Sequence, residues 1–399
     1  MKKVFVFDDN KSRQDHYIKT LNSDPYFNKV FEAFPFNFEE LDELNKRRIN
    51  ERKNEDNIDF DLEIDQSDIF IVDFDLVEKD PNLDGEDLSY AVNCFSLCKF
   101  VIGLNKFGKK KFDFNLNRYP ESYSNINIGN EHLVGTGLWG DGPDGFFPWS
   151  NFDINQFLGN RSRRMDQIEP EFNSSFVEVL KLNDLLPLMS QKAIEFIQGQ
   201  RPVQDEDLGN EMNEGVMNLE FIKNLSFDDI AKNSLKGRDV IHNKKLKIKI
   251  AEFRLYKLFR DLILPGQDIL VDIPHLILRY PSLLNGDLKN IEDWNKLISN
   301  SNEVLHNEQI LPHSYDFSYW LPRPVYNWNE LSEDLNIKEV KEPWLREEIS
   351  FEFCEDASKF FPKDETIPFK ANVESTFDIR FIKKFDNVNY QPYSRLRSW

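Results

Sequence analysis

Ser67–Leu88 reads SDIFIVDFDLVEKDPNLDGEDL, and it decides the fold. Ile69-Phe70-Ile71-Val72 is a short apolar run bounded by polar residues, the pattern of a strand buried on both faces. The run ends on Asp73, and a carboxylate at the carboxyl end of such a strand faces the crevice of an open α/β sheet. Pro81 and Asp84-Gly85 mark a turn, and Glu86 begins a helical pattern. Another short buried strand, Val4-Phe5-Val6-Phe7, ends on Asp8-Asp9. Two strands that deliver carboxylates to one sheet edge build an acidic cluster suited to a hard cation such as Mg²⁺.

Working outward, strands and helices alternate. Ser12–Leu21 is a first helix with Ser12 as N-cap, and Val30–Phe34 a second strand. Phe38–Lys53 is a second helix, and a strongly acidic stretch, Asn54–Ser67, separates it from the Asp73 strand. Glu86–Phe95 is a third helix, Phe100–Leu104 a fourth strand ending on Asn105, and His132–Gly135 the expected fifth strand. This order predicts a doubly wound parallel sheet.

KKVFVFDDN followed by a helix, then DIFIVDFDL and PNLDGEDL, resembles the receiver domain of bacterial response regulators over residues 1–105. The resemblance implies a flavodoxin-like sheet, Mg²⁺ held by Asp8, Asp9 and Asp73, and phosphoryl transfer to Asp73 from a histidine kinase or other phosphodonor protein. It implies a two-component phosphorelay in which an aspartyl phosphate acts on a downstream protein partner. Two departures stand out. The family ends its fourth strand on Ser or Thr, where this chain has Asn105, and its fifth on Lys, which does not follow His132–Gly135. Lys106 and Lys109 are the nearest substitutes.

The remaining chain matches no family pattern. Gly135–Gly140 fits G-x-G-x-x-G, but the turn-rich Asp141–Gly145 follows where a dinucleotide site needs a helix. That stretch reads as a Gly/aromatic loop closing a domain over residues 1–159. Asn160–Asn173, with Arg161, Arg163 and Arg164, reads as a linker, and residues 174–399 as a mainly helical α+β region for output or interaction. Lys244–Ile263 is its clearest amphipathic helix and carries the one basic patch. Trp139, Trp149, Tyr319, Trp320 and Trp328 are candidates for a partner surface.

Composition bounds the rest. At 399 residues the chain has room for two or three domains. A net charge of −20 speaks against DNA binding. Met1-Lys2-Lys3 leads straight into a strand, and no apolar run reaches the ~20 residues that span a bilayer. Three cysteines make no disulfide framework, so a reducing, cytoplasmic location is expected without membrane insertion. Three readings result: a phosphoacceptor controlling the C-terminal region, a pseudo-receiver scaffold without phosphoryl transfer, or a receiver-regulated enzyme. Glu352, Glu355 and Asp356 are the carboxylates that the third would use. Kinase, output and oligomeric state are not encoded in any motif.

Overall fold

The computed structural model describes residues 1–54, 60–76, 84–106, 111–112, 119–140, 152–199, 219–267, 270–299, 310, 313–315, 317, 319–327, 331, 349–369, 380–383 and 389–390. Strands β1 (Lys2–Phe7), β2 (Phe31–Pro35), β3 (Ile69–Asp73), β4 (Val101–Asn105) and β5 (Ile126–Gly129) form one parallel sheet in the order β2-β1-β3-β4-β5. This is the flavodoxin-like order, with the direction of winding reversed between β1 and β3. Every residue of β3, β4 and β5 is buried, as a parallel sheet covered on both faces requires.

Side chains alternate along each strand and sort the helices into two layers. Val4, Val6, Ile71, Ile102 and Ile128 face helices α1 (Lys11–Ser23) and α4 (Ile154–Ile168). Phe5, Phe7, Phe70, Val72 and Val101 face α2 (Phe38–Lys53) and α3 (Gly85–Phe95). The fifth strand lies ahead of the expected His132–Gly135. Asparagines disguise it: Asn125, just before it, and Asn127 within it are buried yet hydrogen-bonded, Asn125 Oδ1 accepting from Val101 N at 2.7 Å and Asn127 Nδ2 donating to Ser122 Oγ at 3.1 Å. Helix α1 is capped by Asn10 rather than Ser12; its Oδ1 accepts from the backbone of Ser12 and Arg13.

Residues expected as a solvated linker are helical through Ile168. The buried stripe of α4 is Ile154, Phe157, Leu158, Arg161, Arg164 and Ile168, so two arginines break an otherwise apolar face. Both fold onto Glu252: Arg161 Nε at 2.8 Å and Arg164 Nε at 2.7 Å. Helices α5 (Phe176–Val179), α6 (Gln191–Gln198), α7 (Leu219–Asn224), α8 (Phe227–Asn233) and α9 (Lys244–Lys257) follow, and α9 continues as a π-helix over Leu258–Ile263. Their apolar core is continuous with that beneath α2 and α3.

Part of the basic patch of α9 is internal: Lys249 and Lys257 are buried and Arg260 nearly so, while Lys244 and Lys245 stay exposed. Lys249 Nζ donates to the carbonyls of Val92 and Ser96 at 3.2 and 2.7 Å, where a cation suits the C-terminus of α3. Lys257 Nζ donates to Tyr119 O and Ser124 O, and Arg260 to Asn125 O. Beyond α9, β6 (Leu270–Asp272), β7 (Ser314–Tyr315) and β8 (Val325–Asn327) form a three-stranded sheet with β8 central. Strands β9 (Phe351–Cys354), β10 (Lys359–Pro362), β11 (Thr366–Phe369) and β12 (Arg380–Lys383) form another, ordered β10-β9-β12-β11. Helices α10 (Ile273–Arg279) and α11 (Ile291–Ser299) enclose a third core around Trp294. Among the described residues no helix is long and apolar enough to cross a membrane.

Candidate functional site, an acidic pocket held by an arginine

Adjacent strands β1 and β3 end level with each other, Phe7 beside Val72. Asp8, Asp9 and Asp73 therefore meet at the carboxyl edge of the sheet, each 3% exposed. The start of α3 presses on this edge. Asp84 caps it by accepting from Asp87 N at 2.7 Å, and Gly85 N donates to Phe74 O. A Cβ at Gly85 would lie 2.3 Å from Asp73 O, so only glycine permits this approach. The preceding Pro81, Asn82 and Leu83 lie outside the described residues.

Arg13, which the sequence reading passed over, organises the cluster. From the first turn of α1 its Nε lies 3.1 Å from both oxygens of Asp8. Its Nη2 donates to Asp9 Oδ1 at 3.2 Å and lies 3.8 Å from Asp73 Oδ2. The i,i+4 spacing of Asp9 and Arg13 was a legible signal. Burial raises Asp8 above the usual carboxylate range, against the Asn10 amide and Arg13. Burial, then the charge of Asp8, pushes Asp73 up to about 7.

The positions expected to support phosphoryl transfer are occupied otherwise. Asn105 is buried, and its Nδ2 has no hydrogen-bond partner among the described residues. Lys106 is exposed and salt-bridged to Asp75 rather than to Asp73. The true fifth strand is followed by Asn130, not lysine, and Asn130 bonds the Tyr17 side chain. Beside the pocket lies an open cleft of about 670 Å³ lined by Arg13, His16, Tyr17, Thr20, Asn130 and Glu131.

The donor chemistry suits Mg²⁺, since three carboxylates are hard oxygen ligands. The arrangement does not: the guanidinium faces both oxygens of Asp8 and one of Asp9, and no described cluster of Asp, Glu, His or Cys is set to hold a metal ion. As built, the three carboxylates and Arg13 form one ion cluster at the sheet edge.

The aromatic surface is corrected in part. Trp139 is 5% exposed and packs edge-on against both Phe27 and Phe31, with Nε1 donating to Leu133 O at 2.6 Å. Trp320 is 2% exposed and donates to Gln167 Oε1 at 3.0 Å. Both are core residues, because loop aromatics here fill the gaps between layers. Tyr319 keeps 38% exposure, and Trp149 and Trp328 lie outside the described residues.

The carboxylates expected for a C-terminal enzyme, Glu352, Glu355 and Asp356, all lie near Cys354, but no described group of them is set to hold a metal ion. Asp356 is buried and accepts from the backbone of Ala357 and Lys383, a turn-holding role. Glu355 instead joins a buried ion network. Asp272 Oδ1 lies 2.5 Å from His275 Nδ1, and Asp272 Oδ2 accepts from Arg323 at 2.6 and 2.8 Å. Glu355 lies 3.5 Å from His275 Nε2 and 3.6 Å from Arg380 Nε. Burial holds His275 below its ordinary 6.5, against the pull of Asp272. Burial would raise Asp272, but Arg323 and His275 overcome it and hold the carboxyl well below its ordinary 3.8.

Below pH 6.5 the unfolded chain thus takes up a proton that folded His275 resists, and below 3.8 another that Asp272 resists. Both effects cost stability as pH falls. We expect His275→Gln to flatten the fall in melting temperature between pH 7 and pH 5, measured by circular dichroism. The comparison with wild type separates this from Asp73, whose raised value costs stability as pH rises instead. An unchanged slope would remove His275 from the account.

Comparison with protein-family models, curated proteins and solved structures found no match for this chain.

Proposed function

We propose that the protein is a receiver-like signalling scaffold, a pseudo-receiver that binds partners without cycling through phosphoryl transfer. One observation carries this: a guanidinium bridges the three carboxylates that a phosphoacceptor would need to present to a metal and a phosphoryl group. Asn105 in place of a hydroxyl and Asn130 in place of a lysine support it.

In this reading α3 is the link between pocket and C-terminal region. Its first residue rests on the Asp73 backbone. Tyr90 in its middle donates to Asp239 at 2.7 Å, and its last carbonyls accept from Lys249. A partner that engages the pocket edge therefore acts on a rigid helix already fixed to the helical region.

The second reading, phosphoryl acceptance, is favoured by the place of Asp73 at the end of β3 beside Asp8 and Asp9. It requires Arg13 to leave. Intact mass after incubation with Mg²⁺ and acetyl phosphate decides between them. No added phosphoryl group is expected; a labile gain of one, absent from Asp73→Asn, would replace the scaffold reading with the phosphoacceptor one.

A further inference from the structure

We propose that Arg13 is the resident counter-ion of the acidic pocket, so that a divalent cation and its guanidinium exclude each other and removal of the guanidinium opens a cation site. The inference rests on the scaffold reading and explains how such a protein balances the charge of a buried acidic cluster.

Three carboxylates buried together demand compensation, because each loses hydration and repels the others. Asp8 and Asp9 are adjacent in sequence, and Asp73 comes from the neighbouring strand. Arg13 meets all three with two of its nitrogens, Nε on both oxygens of Asp8 and Nη2 between Asp9 and Asp73. A planar fork suits this use, whereas an ammonium is a point charge and cannot span the same set. Mg²⁺ and Mn²⁺ require the carboxylate lone pairs that the fork now faces.

The helix holds Arg13 in this place. Asn10 accepts from Arg13 N at 3.2 Å, and Asp8 Oδ1 accepts from Asn10 N at 2.8 Å, so the cap and the ion cluster are one construction. The Arg13 side chain is 32% exposed and also lines the 670 Å³ cleft, where the guanidinium has room among polar groups that include Glu131. Displacement therefore needs no opening of the core.

The test is Mn²⁺ binding, read by electron paramagnetic resonance, in wild type, Arg13→Gln, Arg13→Lys and the double variant Arg13→Gln/Asp8→Asn. Arg13→Gln is expected to bind Mn²⁺ about tenfold tighter than wild type or better, with the gain lost in the double variant. Its melting temperature should rise with Mn²⁺ while that of wild type stays fixed. Should Arg13→Gln fail to fold, Arg13→Lys carries the test, with an expected gain of about threefold because one ammonium covers fewer oxygens. Equal affinity in wild type and these variants, whether strong or absent, would overturn the proposal. Wild type that binds Mn²⁺ as tightly as Arg13→Gln yet gains no phosphoryl group would sink this inference and leave the scaffold reading standing.

Discussion

Replacing Glu252 with glutamine is expected to lower the unfolding free energy by about 3–5 kcal/mol. Glu252 is 1% exposed and is the shared partner of Arg161 and Arg164, which are 2% and 1% exposed. Glutamine keeps the shape and removes the charge, leaving two buried guanidinium groups without their shared counter-charge. Lys249, also buried and lowered to about 7 by burial and then by the charge of Arg161, stands close enough to add to the excess. The companion variant sharpens the test. Arg161 Nη1 and Nη2 have no hydrogen-bond partner among the described residues, so Arg161→Met removes a poorly satisfied charge and leaves Arg164 and Glu252 balanced. Its cost should be under about 1 kcal/mol, since an apolar replacement of similar volume often matches a buried ion. Urea unfolding of both variants measures this. A loss below about 1 kcal/mol for Glu252→Gln would mean that water reaches the cluster.

The second large effect is expected at Asp239, where α2 and α3 meet the chain that leads into α9. Asp239 Oδ1 accepts from Arg52 Nε at 2.5 Å, and its carboxylate takes Arg48 Nε at 2.9 and 3.0 Å and the Tyr90 hydroxyl at 2.7 Å. Burial would raise its carboxyl, but the hydrogen bonds from Arg48, Tyr90 and Arg52 overcome it and lower the value. Asp239→Ala should cost about 2–4 kcal/mol, because it removes the carboxylate that Arg48, Arg52 and the Tyr90 hydroxyl share at an internal interface. Arg52→Ala should cost under about 1 kcal/mol, since that side chain is 42% exposed and solvent screens it. Hydrogen exchange should then locate the loss at α3 and at the start of α9. Equal costs for the two variants would show that Asp239 does not join the two halves.

Much of the N-terminal fold was legible because its signals are local. The apolar run Ile69–Val72, the alternation of strands and helices, and the Asp84-Gly85 turn each follow from short-range chemistry. Phe38–Lys53 is helical over the expected span. What escaped was polar matter inside the core. Ile126–Gly129 hid behind Asn125 and Asn127, buried side chains that bond Val101 N on the neighbouring strand and Ser122 Oγ. Ile154–Ile168 hid behind Arg161 and Arg164, and α9 looked solvated because Lys249 and Lys257 bond to carbonyls on other elements. Periodicity treats these residues as surface, and only the tertiary partner shows otherwise.

The site divided in the same way. Asp8, Asp9 and Asp73 were visible from strand ends, and the structure brings them together. Arg13 was overlooked because an arginine in the first turn of a helix is ordinarily solvated. Here its carboxylate partners include one from β3, which no spacing along the chain encodes.

The most direct test of the account is a crystal structure of the protein soaked with Mg²⁺ and beryllofluoride, a stable mimic of a phosphoryl group on aspartate. The account expects Arg13 to remain on Asp8 and Asp9, with no adduct on Asp73. A beryllofluoride group on Asp73, a metal among the three carboxylates and Arg13 withdrawn into the cleft would contradict it and make this chain a phosphoacceptor.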